Sequence, residues 1–139
     1  MDGVTTTCAR CRGLSLVEAA LVLPIVVMLT FALIEYGWLF LQAQQLSNAA
    51  RHGARLAVLP DTTTQHVNDQ IATMLADAGL GDSGYTVQIT PADVTLAESG
   101  ETVTVSVTVT YANIGLARMG WIPLPSEVGG AVTMAKEGP

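Results

Sequence analysis

The chain has 139 residues and a mass of 14.5 kDa; 50% of its residues are hydrophobic, 13% are charged, and the mean hydropathy is +0.44. That composition excludes a disordered chain, which needs low hydrophobicity and high charge. A net charge of −6 excludes a basic nucleic-acid-binding surface, and two cysteines exclude a disulfide-stapled mini-protein. The length allows one small domain, or one small domain with an anchor.

Taken in chain order, the first feature is Arg10 and Arg12, after which no Lys or Arg occurs until Arg51. From Ala19 to Ile34 no residue is charged. At helical rise that run spans about 24 Å, short of a hydrocarbon core of roughly 30 Å. Leu14 to Leu41 spans about 42 Å and takes in one carboxylate near each end, Glu18 and Glu35. The sequence therefore predicts a membrane-crossing helix over 14–41, with Tyr36, Trp38 and Phe40 at its exit, where an aromatic belt is expected. The basic residues ahead of it predict a cytoplasmic N-terminus and an external remainder. A secretory signal peptide fits less well, because the apolar run exceeds the usual 7–15 residues or so and no Ala-x-Ala-like site follows closely. A buried core helix also fits less well, because residues 19–34 are apolar on every face.

Glu18 stands out, between Val17 and Ala19. A carboxylate deep in a membrane helix costs about 2.5–3.5 kcal/mol on insertion scales, and such acids usually face a partner or a cavity. At interface depth it would simply stay hydrated. The local sequence is Arg12-Gly13-Leu14-Ser15-Leu16-Val17-Glu18. A basic residue, a Gly, then an apolar helix with Glu at its fifth position resembles the processing pattern of type IV prepilins. More narrowly, the chain resembles the TadE-like pseudopilins, minor pilins of the tight adherence (Flp, type IVb-like) pilus system. Arg12–Pro24 carries that resemblance together with Ile34–Leu59, which holds an acid-aromatic-Gly exit and an Asn-Ala-Ala-Arg-x-Gly-Ala-Arg segment. An alternating Val strand and a terminal strand ending Met134-Ala-Lys-Glu137 add a less specific third stretch. Ala19 departs from the Tyr or Phe that often follows the Glu in Flp-type sites.

The resemblance implies a leader, residues 1–13, removed by a prepilin peptidase that cuts between Gly13 and Leu14. Glu18 would then serve peptidase recognition and assembly, pairing with the N-terminal amine of a neighbouring subunit. It also implies a single-pass protein of the bacterial inner membrane, one that takes part in pilus assembly and surface adherence. The implied partners are other pilin and pseudopilin subunits, the peptidase and the assembly platform. Cys8 and Cys11 form a Cys-x-x-Cys without the context of a redox motif or the further ligands of a zinc site. Both would leave with the leader. The processed chain would carry four basic and eleven acidic residues, a net charge of −7.

Past the exit, Leu46, Ala49, Ala50, Gly53, Ala54, Ala57 and Val58 recur at helical spacing, so the helix is expected to run on to Val58. The stripe is small enough to let a sheet or another helix approach closely. Arg51 and Arg55 share one face. They would hold a phosphate or an acidic neighbour, lie on a solvated face, or pair with Asp61. His52 and His66 have no ligand set around them. Thr62–Gly79 is expected to form a second helix with Val67, Ile71, Met74, Leu75 and Ala78 inward. Asp61 or a following Thr would cap it, and Gly79 would end it.

Strands are expected at Tyr85–Thr90, resuming at Val94–Ala97, then at Thr102–Tyr111 and at Ala131–Ala135. In the third of these, Val103, Val105, Val107, Val109 and Tyr111 alternate with hydroxyl residues, as in a half-buried antiparallel strand. The stretch 112–126 is apolar and irregular. It either folds on the core or meets a partner, in which case Trp121 is the contact residue. The expected architecture is α+β and pilin-like: a transmembrane helix continuing into an external domain, 42–139, of a helix on a short antiparallel sheet. No catalytic constellation, metal cluster or cofactor motif is present, so the chain is not expected to be an enzyme. The alternative to pilus assembly is an uncleaved, membrane-tethered binding module that uses the sheet or the Trp121 loop.

Overall fold

The computed structural model describes residues 9–116 and 123–138. Helix α1 spans Ala9–Ala57 and is unbroken across Pro24. The chain divides between Ile34 and Glu35 into two units.

In the first unit the described side chains, from Ser15 onward, lie almost entirely in the open. Leu16 is 74% exposed, and Leu21, Leu23, Ile25 and Leu33 are each at least 60% exposed. Its most apolar window has a mean hydropathy of 2.5, and none of that window is buried within the chain. The core-helix account is thereby removed, since a core helix would be covered. The helix is long and apolar enough to cross a membrane. The Thr30 hydroxyl donates to the Val26 carbonyl one turn back (2.8 Å), so this polar atom is satisfied inside the helix.

In the second unit the small-residue stripe does what its size permits. Leu46, Ala49, Ala50, Ala54 and Ala57 are buried. At Gly53 a β-carbon would lie 2.5 Å from Ile71 Cδ1 and 3.3 Å from Val105 Cγ1, so a side chain there would force Ile71 to shift beneath the second helix and the sheet. Helix α2 spans Thr64–Asp77 and buries Val67, Ile71 and Leu75. Thr63 caps it by accepting from the His66 amide. At its other end Gly79 takes a φ of 75°. The Gly79 and Leu80 amides then donate to the Ala76 and Leu75 carbonyls, closing a Schellman motif with Leu75 and Leu80 both buried.

Three strands follow: β1 (Thr86–Thr90), β2 (Thr102–Thr110) and β3 (Glu127–Ala135). They form one antiparallel sheet in the order β1-β2-β3, with Val105 opposite both Ile89 and Val132. Val103, Val105, Val107 and Val109 are buried, while the hydroxyl residues between them face outward. Burying each such side chain contributes about 1.5–3 kcal/mol. The architecture is α+β.

Three expectations need correction. Val94–Leu96 is a 3-10 turn rather than a resumed strand. Asp93 Oδ1 accepts from the Thr95 hydroxyl (2.7 Å) and the Thr95 amide (3.0 Å), and this local bonding diverts the backbone from the ladder. Tyr111 packs against the core as expected, but it lies past the strand and opens a short helix, α3 (Tyr111–Ile114). Strand β3 begins four residues before the expected Ala131, because Gly129 and Gly130 interrupt the apolar signal. Gly130 is needed there: a β-carbon would lie 2.5 Å from Ser47 Oγ and 2.7 Å from Ser47 Cα, where α1 crosses the sheet.

The Asp93 turn has a pH signature. Hydrogen bonds from the Thr95 hydroxyl and then from the Thr95 amide hold its carboxyl below the ordinary 3.8. The unfolded chain therefore takes up this proton first as the pH falls. The turn's contribution is complete above about pH 4 and is lost as the pH drops through the lower, folded value. NMR titration of the Asp93 carboxyl should give a midpoint below 3.8, with the Thr95 amide losing protection over the same range. A midpoint at or above 3.8 would contradict it.

Candidate functional site

Gly13 and Leu14 lie within α1, and their side chains are outside the described set, as are Cys8 and Trp121. Glu18 is described. It is exposed on α1, beside Leu16 and Val17, which are 74% and 65% exposed. Among the described residues it forms no hydrogen bond or ion pair. A carboxylate set in an uncovered apolar surface can be accommodated in a bilayer in two ways. It can stay at hydrated depth, or it can meet a cation from another chain.

Glu35, the other acid of α1, has the opposite surroundings. It is 1% exposed. Its Oε1 accepts from the Tyr111 hydroxyl and from the Leu116 amide, the latter at 3.1 Å. The aromatic residues that follow are likewise bonded to the far part of the chain. Trp38 Nε1 donates to the Ile114 carbonyl (2.8 Å), and Tyr36 Oη donates to the Pro123 carbonyl (2.7 Å). Residues expected as a membrane-exit belt thus have their polar atoms on the chain's own backbone, and Glu35 anchors the segment that follows β2. A groove of about 490 Å³ lies beside them, lined by Tyr36, Leu39, Phe40, Ala43, Pro125 and Val128 among others.

Sequence reasoning also missed Lys136, the chain's single lysine. Its Nζ donates to the carbonyls of Ala57 (3.2 Å), Leu59 (3.1 Å) and Val94 (3.2 Å). The cation thus meets the carbonyls at the end of α1, where the helix dipole favours positive charge. The sequence signal was a lone Lys placed directly after the last strand.

His52 and His66 are exposed, and among the described residues no group of three His, Cys, Asp or Glu side chains could hold a metal ion. Arg51 and Arg55 are exposed, and the pairing with Asp61 considered from sequence is not formed.

The fold and these sites define a chain with one membrane-capable helix leading into an α+β domain. Residues 13–55 match the family model described as TadE-like protein. The match runs from the glycine of the processing pattern to the second exposed arginine and covers about a third of the chain. It points to a protein associated with the Tad pilus system. No curated protein and no solved structure matched the chain.

Proposed function

We propose that the chain is a minor pilin or pseudopilin, processed by a prepilin peptidase after Gly13, that takes part in assembling a Tad/Flp-type pilus for surface adherence. One observation carries this reading. The TadE-like match begins at Gly13 and contains Glu18, an exposed carboxylate on the apolar, uncovered part of α1 that precedes Glu35. Cleavage at Gly13 would create an ammonium at Leu14, four residues from Glu18 in sequence. An ammonium at that depth is the cation that a neighbour's Glu18 requires. Arg10 and Arg12 support a cytoplasmic N-terminus, with the α+β domain on the far side of the inner membrane. The chain's work in this reading is assembly rather than catalysis, with other pilin subunits and the assembly platform as partners.

The test is the intact mass and N-terminal sequence of the protein from native membranes. A start at Leu14, with or without a methyl group, is the expected result. A start at Met1 or Asp2 in cells that contain an active prepilin peptidase would overturn processing. It would favour a tethered binding module.

A further inference from the structure

Over residues 19–41 of α1, no exposed position carries a polar side chain other than Thr30 and Tyr36. Their hydroxyls are already bonded, to the Val26 and Pro123 carbonyls. Beyond Leu41 the pattern reverses. The exposed positions of α1 are then Gln44, Asn48, Arg51, His52 and Arg55. At helical rise residues 15–41 span about 40 Å, the thickness of a bilayer with its interfacial regions. A bilayer crossed by α1 therefore ends near Leu41.

The groove of about 490 Å³ opens at this border. Tyr36, Phe40 and Ala43, at helical spacing, form one wall from a single face of α1. Pro125, Val128 and Gly129 form the other. Phe40 is 65% exposed, so its wall is left open on the side away from the core. The volume and the largely apolar lining are those of a small-molecule site. Among the described lining residues Glu127 alone is charged. A carboxylate there disfavours a lipid phosphate and leaves the groove to hydrocarbon.

We infer that this groove holds an acyl chain of a phospholipid from the leaflet at the exit of α1. The occupant follows from where the groove opens. The exposed apolar surface of Leu33, Ile34, Phe40 and Leu41 leads into it, and lipid tails cover that surface when α1 crosses a bilayer. A tail entering the groove covers Tyr36 and Phe40 on the side that the domain leaves open, and removes that surface from water. The inference rests on α1 crossing a bilayer, and on neither cleavage at Gly13 nor pilus assembly.

The test uses the full-length chain in phosphatidylcholine vesicles that include a phosphatidylcholine with a photoactivatable diazirine on one acyl chain. After illumination, mass spectrometry locates the lipid adducts. Adducts on residues 19–34 report insertion, and adducts on residues 125–129 report the groove. Both are expected. Phe40 lies outside the core cluster, so Phe40→Gln changes the groove wall and spares the core. It should lower the adducts on 125–129 about tenfold and leave those on 19–34 unchanged. Ala43→Leu, which fills the groove from the same face, should lower them as well. Adducts on 19–34 with none on 125–129 would overturn the site, as would groove adducts indifferent to either substitution. Groove adducts that vanish as more copies are packed into each vesicle would assign the groove to a second copy, and would overturn it equally. No adduct in either place would remove the membrane reading itself, and the lipid site with it.

Discussion

Replacing Glu18 with Ala is expected to leave the chain inserted in the membrane and its external domain folded, and to abolish pilus formation. Insertion should improve slightly, because the substitution removes a charge from an apolar helix at a saving of up to about 2.5–3.5 kcal/mol. The fold should not notice, because among the described residues Glu18 touches no partner and α1 buries none of its surroundings. In the proposed reading, what disappears is the anion that meets a neighbour's new N-terminal ammonium. Breaking such a pair at membrane depth costs about 3–5 kcal/mol when one charge is left behind. Counting pili by electron microscopy in a Glu18→Ala strain, with membrane fractionation as the control, checks this. Normal pilus numbers with the protein inserted would remove the assembly role of Glu18. Glu18→Asp, which keeps the charge on a shorter stem, should retain part of the function, which a purely steric role would not predict.

The elements legible in the sequence are those whose signal is local. The apolar run of α1 announces itself by composition, and nine residues of strict alternation announce β2. The small stripe from Leu46 to Ala57 correctly foretold close packing, and Gly53 under Ile71 is that packing. The unread features depend on distance or on absence. Glu35 and Tyr111 are 76 residues apart, and nothing near either names the other. Lys136 reaches carbonyls 79, 77 and 42 residues away, and a carbonyl has no sequence signature. Gly129 and Gly130 hide the first half of β3: α1 at Ser47 leaves no room for a side chain at Gly130, and β2 at Val107 and Thr108 leaves none at Gly129. At Asp93 a side chain competes with the ladder for the Thr95 amide, a choice that propensity alone does not resolve. At the candidate site, Gly13, Leu14 and Glu18 form a linear motif that falls within the TadE-like match, and their roles remain those of the proposed function. Glu35 was legible only as an acid near the end of an apolar run, and that placed it with the membrane rather than with the domain.

The second acid of α1 should give the reverse phenotype. Glu35→Ala is expected to destabilise the external domain by about 1–3 kcal/mol, because it removes the buried acceptor of two part-buried donors, the Tyr111 hydroxyl and the Leu116 amide. Against a total stability of about 5–15 kcal/mol for a domain of ordinary size, that loss is large enough to lower protein abundance in cells. Glu35→Gln should cost less, since an amide oxygen still accepts from both donors. Tyr111→Phe combined with Glu35→Ala should cost less than the sum of the two single changes, since each already breaks the same bond. Urea unfolding of the full chain in neutral detergent, followed by tryptophan fluorescence, measures all four variants. Hydrogen exchange at Leu116 reports the local opening. A Glu35→Ala change below about 0.5 kcal/mol would show that the anchorage contributes little. The two carboxylates stand seventeen residues apart on one helix. In one, the chain supplies the partners and the acid holds the fold. In the other, among the described residues, it supplies none, and the proposed function assigns that acid to another chain. A Glu35 variant should therefore fail before assembly and a Glu18 variant only at assembly, so pilus loss alone does not tell them apart. The amount of folded protein in the membrane does.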